Sequence, residues 1–542
     1  MSPARSPGAM KWYGWGDPER RLELGPDAVA ALRSEVGEGQ PEERAALEGV
    51  VIPAPRPLPP SIAETVGAGA VLTGHEHRVR RATGRGYPDL VRLRAGRLDD
   101  APDAVVLPGN ESEVARVLEI CGREGVGVVP FGGGTSVVGG VEPLRGTFER
   151  LITLDCRRLQ GVEVDGTSMT ATLGAGLRGP EAEELLAAHG MTLGHFPQSF
   201  EYATIGGFAA ARSAGQASSG YGRFDELVTS VRMTAPAGEL RTGQTPHTAA
   251  GPSLRELVLG SEGLLGLITQ VTARARALPE RRRYEAWMAA DFASGAAIIR
   301  SLAQSDGLPD VVRVSDEAET RTSLAMSGAG GSKRALLGGY LRLRRREHGA
   351  IVICGWEGEP EDVERRRAVA ARIIRSGGGA SLGAAPGRAW ERGRYDGPYL
   401  RDELMDLGYL VETLETAHEW SRLQHLYEEV RAAIGTALAA QGTPGLVMCH
   451  LSHAYPDGAS LYFTFIAPRR PGAELEQWRA AKAAASEAIV EAGGTITHHH
   501  GVGRDHAPYM SAEIGALGIE ALRAVKERLD PAGIMNPGKL LP

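Results

Sequence analysis

The stretch 126–136, Val-Gly-Val-Val-Pro-Phe-Gly-Gly-Gly-Thr-Ser, restricts what this chain can fold into more than any other. Residues 126–129 form the β-branched run of a buried parallel strand. Pro130 and Phe131 follow, and then Gly132, Gly133 and Gly134 bare their backbone N–H groups, which together can cradle a pyrophosphate. Thr135 and Ser136 add hydroxyl donors. This is neither the dinucleotide pattern GxGxxG nor the P-loop pattern GxxxxGK[ST]. A glycine triplet after a strand is by itself more often only a tight turn. Two further segments argue for more: Pro197-Gln198-Ser199-Phe200-Glu201-Tyr202-Ala203-Thr204-Ile205-Gly206-Gly207, and Gly260-Ser261-Glu262-Gly263-Leu264-Leu265-Gly266. Each lets backbone approach a flat ligand closely.

The surroundings read as β-α-β. An apolar run at 104–107 is followed by Asn110, which can cap a helix with Glu113 three residues on. Val114, Val117, Leu118 and Cys121 form one helical stripe, and Gly125 stops it. Strands are predicted near 151–155, 169–173, 228–235 and 266–273, and a helix over 180–189. From about 282 the pattern changes to long polar helices, predicted over 359–376 and 415–440, separated by strands. Residues 327–333 read as a mobile loop, and a last helix is predicted over 511–529. Five prolines within 53–60 read as a linker. The aromatic cluster Met10-Lys11-Trp12-Tyr13-Gly14-Trp15-Gly16 reads as an anchor for the N-terminal tail.

A chain of 542 residues exceeds one core, so two or three domains are expected. The net charge of -7 argues against a nucleic-acid partner. Four cysteines without a CxxC pair fit a reducing cytosol. No apolar run is long enough to span a membrane, the N-terminus lacks a signal core, and Lys539-Leu540-Leu541-Pro542 is not a Ser-Lys-Leu address. A cytoplasmic protein is expected.

The three glycine-rich segments, in this order and spacing, resemble the FAD domain of vanillyl-alcohol-oxidase-type flavoenzymes over about 100–280. The resemblance implies an α+β protein. Its parts would be an N-terminal, mostly helical segment with linker (1–100), a two-subdomain PCMH-type FAD-binding domain (101–281), an α/β cap or substrate domain (282–495) and a C-terminal segment closing the active site (496–542). It also implies FAD contacts from the three segments, Phe200, Glu201 and Ile205 apart, with Ala210, Arg212 and Ser213 just beyond the second. The first glycine loop holds no histidine or cysteine, so noncovalent FAD is expected.

Within that superfamily, the opening Met10-Lys11-Trp12-x-Gly14-Trp15-Gly16 resembles the alkyldihydroxyacetonephosphate synthases. So do Tyr399-Leu400-Arg401-Asp402, Glu412-Thr413-Leu414-Glu415-Thr416-Ala417, Gly458-Ala459-Ser460-Leu461-Tyr462-Phe463 and His498-His499-His500-Gly501-Val502-Gly503. The resemblance implies exchange of the acyl group of acyl-dihydroxyacetone phosphate for a long-chain fatty alcohol through an adduct at flavin N5. Tyr462 would be the acid/base, activated by nearby positive charge, with His498, His499 and His500 supporting the proton transfer. Arg401 would clamp the phosphate, and Arg313 would face the flavin. Lipid substrates further imply transient peripheral membrane contact, and the family implies a homodimer.

On residues alone, three adjacent histidines on an extended strand alternate faces and cannot share one metal without a bend. No metal is expected, although His450, His453 and His506 are further candidate ligands. The alternative enzyme is an FAD-dependent D-2-hydroxy-acid or alcohol dehydrogenase. Against it, Tyr462 stands near where those dehydrogenases carry a metal-binding histidine, and Thr497-His498-His499-His500 replaces their acidic ligand. For it, the tail Asp530-Pro531-Ala532-Gly533-Ile534-Met535-Asn536-Pro537-Gly538-Lys539 resembles theirs. A flavin-binding carrier without chemistry is a third reading. Gln198 and the Arg504-Asp505 pair depart from the synthase pattern.

Overall fold

The computed structural model describes residues 8–243, 245–326 and 338–542. The loop predicted at 327–333 lies outside them. Three main sheets carry the architecture. The first contains β1 (Val71–Leu72), β2 (Ala104–Val106), β3 (Val126–Phe131) and β4 (Arg150–Asp155), in the order β1-β2-β4-β3. The predicted β-α-β unit is present: Asn110 accepts the Glu113 N–H at 2.9 Å, the helix spans Glu111–Glu124, and Gly125 ends it at φ 63. Its strands β2 and β3 are not neighbours, however. Both run parallel to β4, which lies between them.

The second sheet is antiparallel. It uses β5 (Val162–Asp165), β6 (Thr170–Gly174), β8 (Val228–Ala235), β9 (Gly238–Thr242) and β10 (Leu267–Arg274), in the order β5-β6-β10-β8-β9. A small ribbon pairs β7 (Met191–Thr192) with β11 (Arg276–Ala277). The predicted helix over 180–189 is Gly179–Ala187. The loops after β3 and before β8 and β10 supply the three glycine-rich segments.

The third sheet has seven antiparallel strands: β12 (Arg281–Ala289), β13 (Val311–Ser315), β14 (Ala350–Gly358), β15 (Ala380–Gly383), β16 (Tyr409–Glu419), β17 (Leu446–Ala454) and β18 (Gly458–Pro468). Their order is β15-β12-β14-β13-β17-β18-β16. The helices Phe292–Ala303, Pro360–Ser376, Leu423–Ala440 and Glu474–Glu491 bring apolar stripes to its core.

The helix predicted over 415–440 needs correction, because it begins only at Leu423. Residues 409–419 form β16, which pairs with β18 over its full length from Tyr409↔Pro468 to Glu419↔Gly458. Glu, Leu and Ala favour a helix locally. Eleven residues of ladder pairing and burial outweigh that preference.

Both chain ends tie these parts together. Trp15 is buried against Tyr202 and Tyr399, and its backbone N–H donates to Asp402 Oδ2 at 2.6 Å, so the aromatic cluster anchors the tail as expected. At the other end, Val128 donates to Ile534 O and accepts from the Asn536 N–H, each at 2.8 Å. The last helix spans Met510–Leu529, with a kink at Gly515. Among the described residues no helix is long and apolar enough to cross a membrane.

Candidate active site

A cavity of about 760 Å³ lies where the glycine-rich loops meet the third sheet. Pro130 through Ser136 line one wall. The glycines there are required first by packing: a Cβ on Gly133 would meet Tyr202 O at 2.0 Å, and one on Gly132 would meet Thr204 Oγ1 at 2.4 Å. The first and second segments are thus pressed backbone to backbone. Pro197, Gln198, Ser199, Ala203, Thr204, Gly206, Gly207, Ala210 and Ser213 extend this wall, as do Glu262, Gly263 and Gly266. Gln198 Nε2 and Gln216 Oε1, both on this wall, are buried without a hydrogen-bond partner among the described residues. Buried polar atoms left unpaired are costly, so such a wall suits a polar, planar group such as FAD.

Six residues expected at the cofactor do not line the cavity. Tyr202 packs on Trp15, with ring centroids 5.6 Å apart. Arg212 turns away to Leu259 O and Glu256. Leu264 and Leu265 are buried in the core of the second sheet. Gly260 donates its N–H to Ala209 O and serves the turn. Ser261 is buried behind the wall, where its N–H donates to Val258 O. Glu262 reaches the cavity, but its carboxylate accepts the N–H groups of Val502 and Gly503, at 2.5 and 2.8 Å. Burial pushes Glu262 up to about 7, against those two N–H groups.

The opposite wall is one face of the third sheet. Tyr462, Thr464 and Ile466 alternate along β18 and so share that face. Cross-strand pairing sets His450, Met448 and Leu446 of β17 beside them on one side, and Glu415, Thr413 and Val411 of β16 on the other. The face is polar at the Glu415–Tyr462–His450 end and apolar at the Val411–Ile466–Leu446 end. At the apolar end the cavity continues as a lobe between Leu24, Ala28, Ala31 and Leu32, around the helix Pro26–Val36, and Leu404 of the helix Gly397–Asp406.

The three histidines correct the sequence-based picture. They do not form an extended strand. The chain bends at 498–500 and turns three successive N–H groups onto one carboxylate. Glu415 accepts from His498, from His499 at 3.0 Å and from His500 at 2.7 Å, and also from Thr497 Oγ1 at 2.8 Å. Burial opposes the charge of Glu415, but the imidazoles of His499, His500 and His498 and these N–H groups hold it well below the usual carboxylate range. Burial also lowers the histidines, His500 to about 3, so they stand neutral. His499 and His500 line the cavity, whereas His498 lies behind them. The bend also gathers ring nitrogens of His453, His498 and His499 within 4.8 Å of one another. His506 turns back to Gly501 O at 3.0 Å.

Tyr462 lines the cavity and stacks on His450, with centroids 4.8 Å apart and an 18° interplanar angle. The expected activation is not seen: burial pushes its hydroxyl up to about 12. Arg313 also lines the cavity, but its guanidinium is committed to Glu319. Glu319 in turn meets His450 Nδ1 at 3.1 Å. Burial would raise Glu319, yet Arg313 and His450 hold it at about 2. Arg401 donates from Nη1 to Arg85 O at 2.6 Å. Its Nε and Nη2 are buried without a hydrogen-bond partner among the described residues, Nη2 lying 3.6 Å from Asp402 Oδ1.

Sequence reading assigned no role to Glu415, Glu319 or the helix Pro26–Val36. Glu415 stands inside a quoted motif, but nothing local marks it as the hub of a loop 83 residues away.

Comparison with known proteins agrees with this geometry. The FAD binding domain family matches residues 102–243, and the family of FAD linked oxidases, C-terminal domain, matches 278–540. The alkyldihydroxyacetonephosphate synthase of Dictyostelium discoideum is 32% identical, over 98% of this chain and 93% of its own. That of Trypanosoma brucei brucei is 34% identical, over 86% and 77%. A solved alkyldihydroxyacetonephosphate synthase structure superposes with a TM-score of 0.83 at 29% identity, over 97% of this chain and 98% of that one. The chain belongs to the alkyldihydroxyacetonephosphate synthase family of FAD-linked flavoenzymes.

Proposed function

We propose that this enzyme exchanges the acyl group of acyl-dihydroxyacetone phosphate for a long-chain fatty alcohol, using noncovalently held FAD. The observation that carries the reading is the single sheet face running from Tyr462 and His450 to Val411, Leu446 and Ile466. It offers proton-handling groups at one end and a bed for an alkyl chain at the other. Arg401 lies beside this face, with two unspent donor groups for a phosphate. Leu404, on the same helix, lines the apolar lobe.

Bound FAD would supply nucleophilic catalysis at the substrate carbon. The glycine loops and Gln198 would hold it. Cys156 lines the cavity, but burial pushes its thiol up to about 12, which disfavours a covalent link. Arg401 would orient the phosphate. Neutral His499 and His500 would accept the proton taken from the substrate carbon, and Tyr462, a phenol at rest, would donate one. Arg313 is already neutralised by Glu319 and would position His450 and Tyr462 rather than supply net charge. The apolar lobe would exclude water. Its fatty substrates imply transient membrane contact and, with the family, a cytoplasmic homodimer.

Anaerobic incubation with palmitoyl-dihydroxyacetone phosphate and labelled hexadecanol tests this. The expected products, seen by mass spectrometry, are the ether lipid and free palmitate without lasting flavin bleaching, and Tyr462→Phe abolishes them. Absence of the ether, together with bleaching by D-2-hydroxy acids, would instead identify a dehydrogenase.

A further inference from the structure

We propose that His498 and Tyr455 form a proton path that connects His499, on the cavity wall, with water outside. His499 lines the cavity, whereas His498 and Tyr455 do not. The Nδ1 atoms of His499 and His498 lie 3.0 Å apart, and His498 Nε2 lies 2.8 Å from Tyr455 Oη. Tyr455 is half-buried, at the turn between β17 and β18, where Pro456 and Asp457 are exposed. Two short hydrogen bonds in series therefore lead from the cavity wall to the Tyr455 hydroxyl, which lies against the Arg223 guanidinium at the base of the exposed turn.

The path is held from several sides. Glu415 fixes the backbone of both histidines. His453 stacks on His498, with centroids 5.1 Å apart, and its Nδ1 meets Ser218 Oγ at 2.6 Å. The Tyr455 N–H donates to Gly458 O at 2.8 Å, and Trp420 Nε1 donates to Tyr455 O at 3.0 Å. A phenylalanine at 455 would fill the same space but would lose the hydroxyl that meets His498 and Arg223.

The proton balance closes along the path. His499 gains a proton from the substrate at Nε2 and passes its Nδ1 proton to Nδ1 of His498. His498 releases its Nε2 proton to Tyr455 Oη, which gives its own proton to water. One proton leaves, every group ends neutral, and no phenolate forms. The reverse sequence returns a solvent proton to the substrate. A cavity filled by cofactor and alkyl chains offers little water for this exchange, and neutral imidazoles are suited to it.

This inference rests on the reading of the cavity as a proton-transferring site given above. The test uses the FAD-loaded full chain in deuterated water and follows deuterium entering the ester's reacting carbon. Tyr455→Phe is expected to bind FAD and substrate as wild type does, with the same KM. Its exchange slows by about tenfold or more, and added imidazole restores it. Tyr455→His, which can still relay, retains exchange. Wild-type exchange in Tyr455→Phe, or a loss that neither imidazole nor Tyr455→His repairs, overturns the path. Wild-type enzyme that makes no ether overturns only the proposed function. The path is then judged, with the same variants and imidazole, on anaerobic flavin reduction by D-2-hydroxy acids, which also releases a proton. Wild-type enzyme inert to both substrate classes overturns both.

Discussion

Glu415 Oε1 accepts the backbone N–H of His500 at 2.7 Å, across 85 residues of sequence. The same carboxylate takes the N–H groups of His498 and His499, so one buried charge shapes the whole histidine loop. Its removal should disturb geometry before it disturbs folding. For Glu415→Gln we expect normal FAD content and kcat reduced by about tenfold to a hundredfold, because misplaced groups lose near-attack geometry. Steady-state kinetics alongside the flavin spectrum checks this.

Arg401 should act on binding. Charge-assisted hydrogen bonds contribute about 1.5–3 kcal/mol each, so Arg401→Ala should raise the KM of the phosphate ester by about tenfold to a hundredfold. The KM of the fatty alcohol, which has no phosphate, should change little. Arg401→Lys should recover only part, because a point charge cannot reproduce the guanidinium fork.

The lobe beside the helix Pro26–Val36 should set the accepted chain length. Ala28 and Ala31 line it, and a large side chain there would occupy space meant for methylene groups. Ala31→Phe is expected to shift preference toward alcohols shorter by several carbons, with turnover of the shortest ones kept. A competition assay over a homologous series reads this directly.

Glu319 should matter to both activity and acid stability. Its carboxyl stands at about 2 in the fold, against 4.5 in a free chain. A depressed carboxylate contributes stability that is complete above the unfolded value and is lost as pH falls through the folded one. The stability advantage of wild type over Glu319→Gln should therefore shrink as pH drops from about 4.5 to about 2, followed by denaturant melts at each pH. At neutral pH the variant should also lose kcat by about tenfold, since it frees His450.

Glu262 predicts the opposite sign. Its carboxyl stands at about 7 in the fold, above the free value of 4.5. Its contribution is complete below the free value and is lost as pH rises through about 7. The shift corresponds to about 3 kcal/mol. Glu262→Gln should flatten the fall in thermal midpoint that wild type shows between pH 4.5 and 8.

Much of this molecule is legible in one dimension. The β-α-β unit over 104–131, its Asn110 and Gly125 caps, the glycine cradle and the aromatic anchor at Trp15 all follow from chemistry within a few residues. Local spacing states such features directly, because turns, caps and stripes are set by neighbours in the chain. The cofactor class comes from the family resemblance that the three glycine-rich segments carry, not from their local chemistry alone.

What tertiary structure alone decided lies in partners far apart in sequence. Ladder pairing with β18 made 415–419 part of a strand against their own helix preference. Glu415 bent the histidines out of the extended form that alternation suggests, and separated His499 and His500 on the wall from His498 behind it. Burial left Tyr462 a phenol rather than an activated base, and Glu319 claimed the charge of Arg313. Periodicity cannot report these outcomes. Desolvation and long-range hydrogen bonds exist only once the sheets have closed over the cavity.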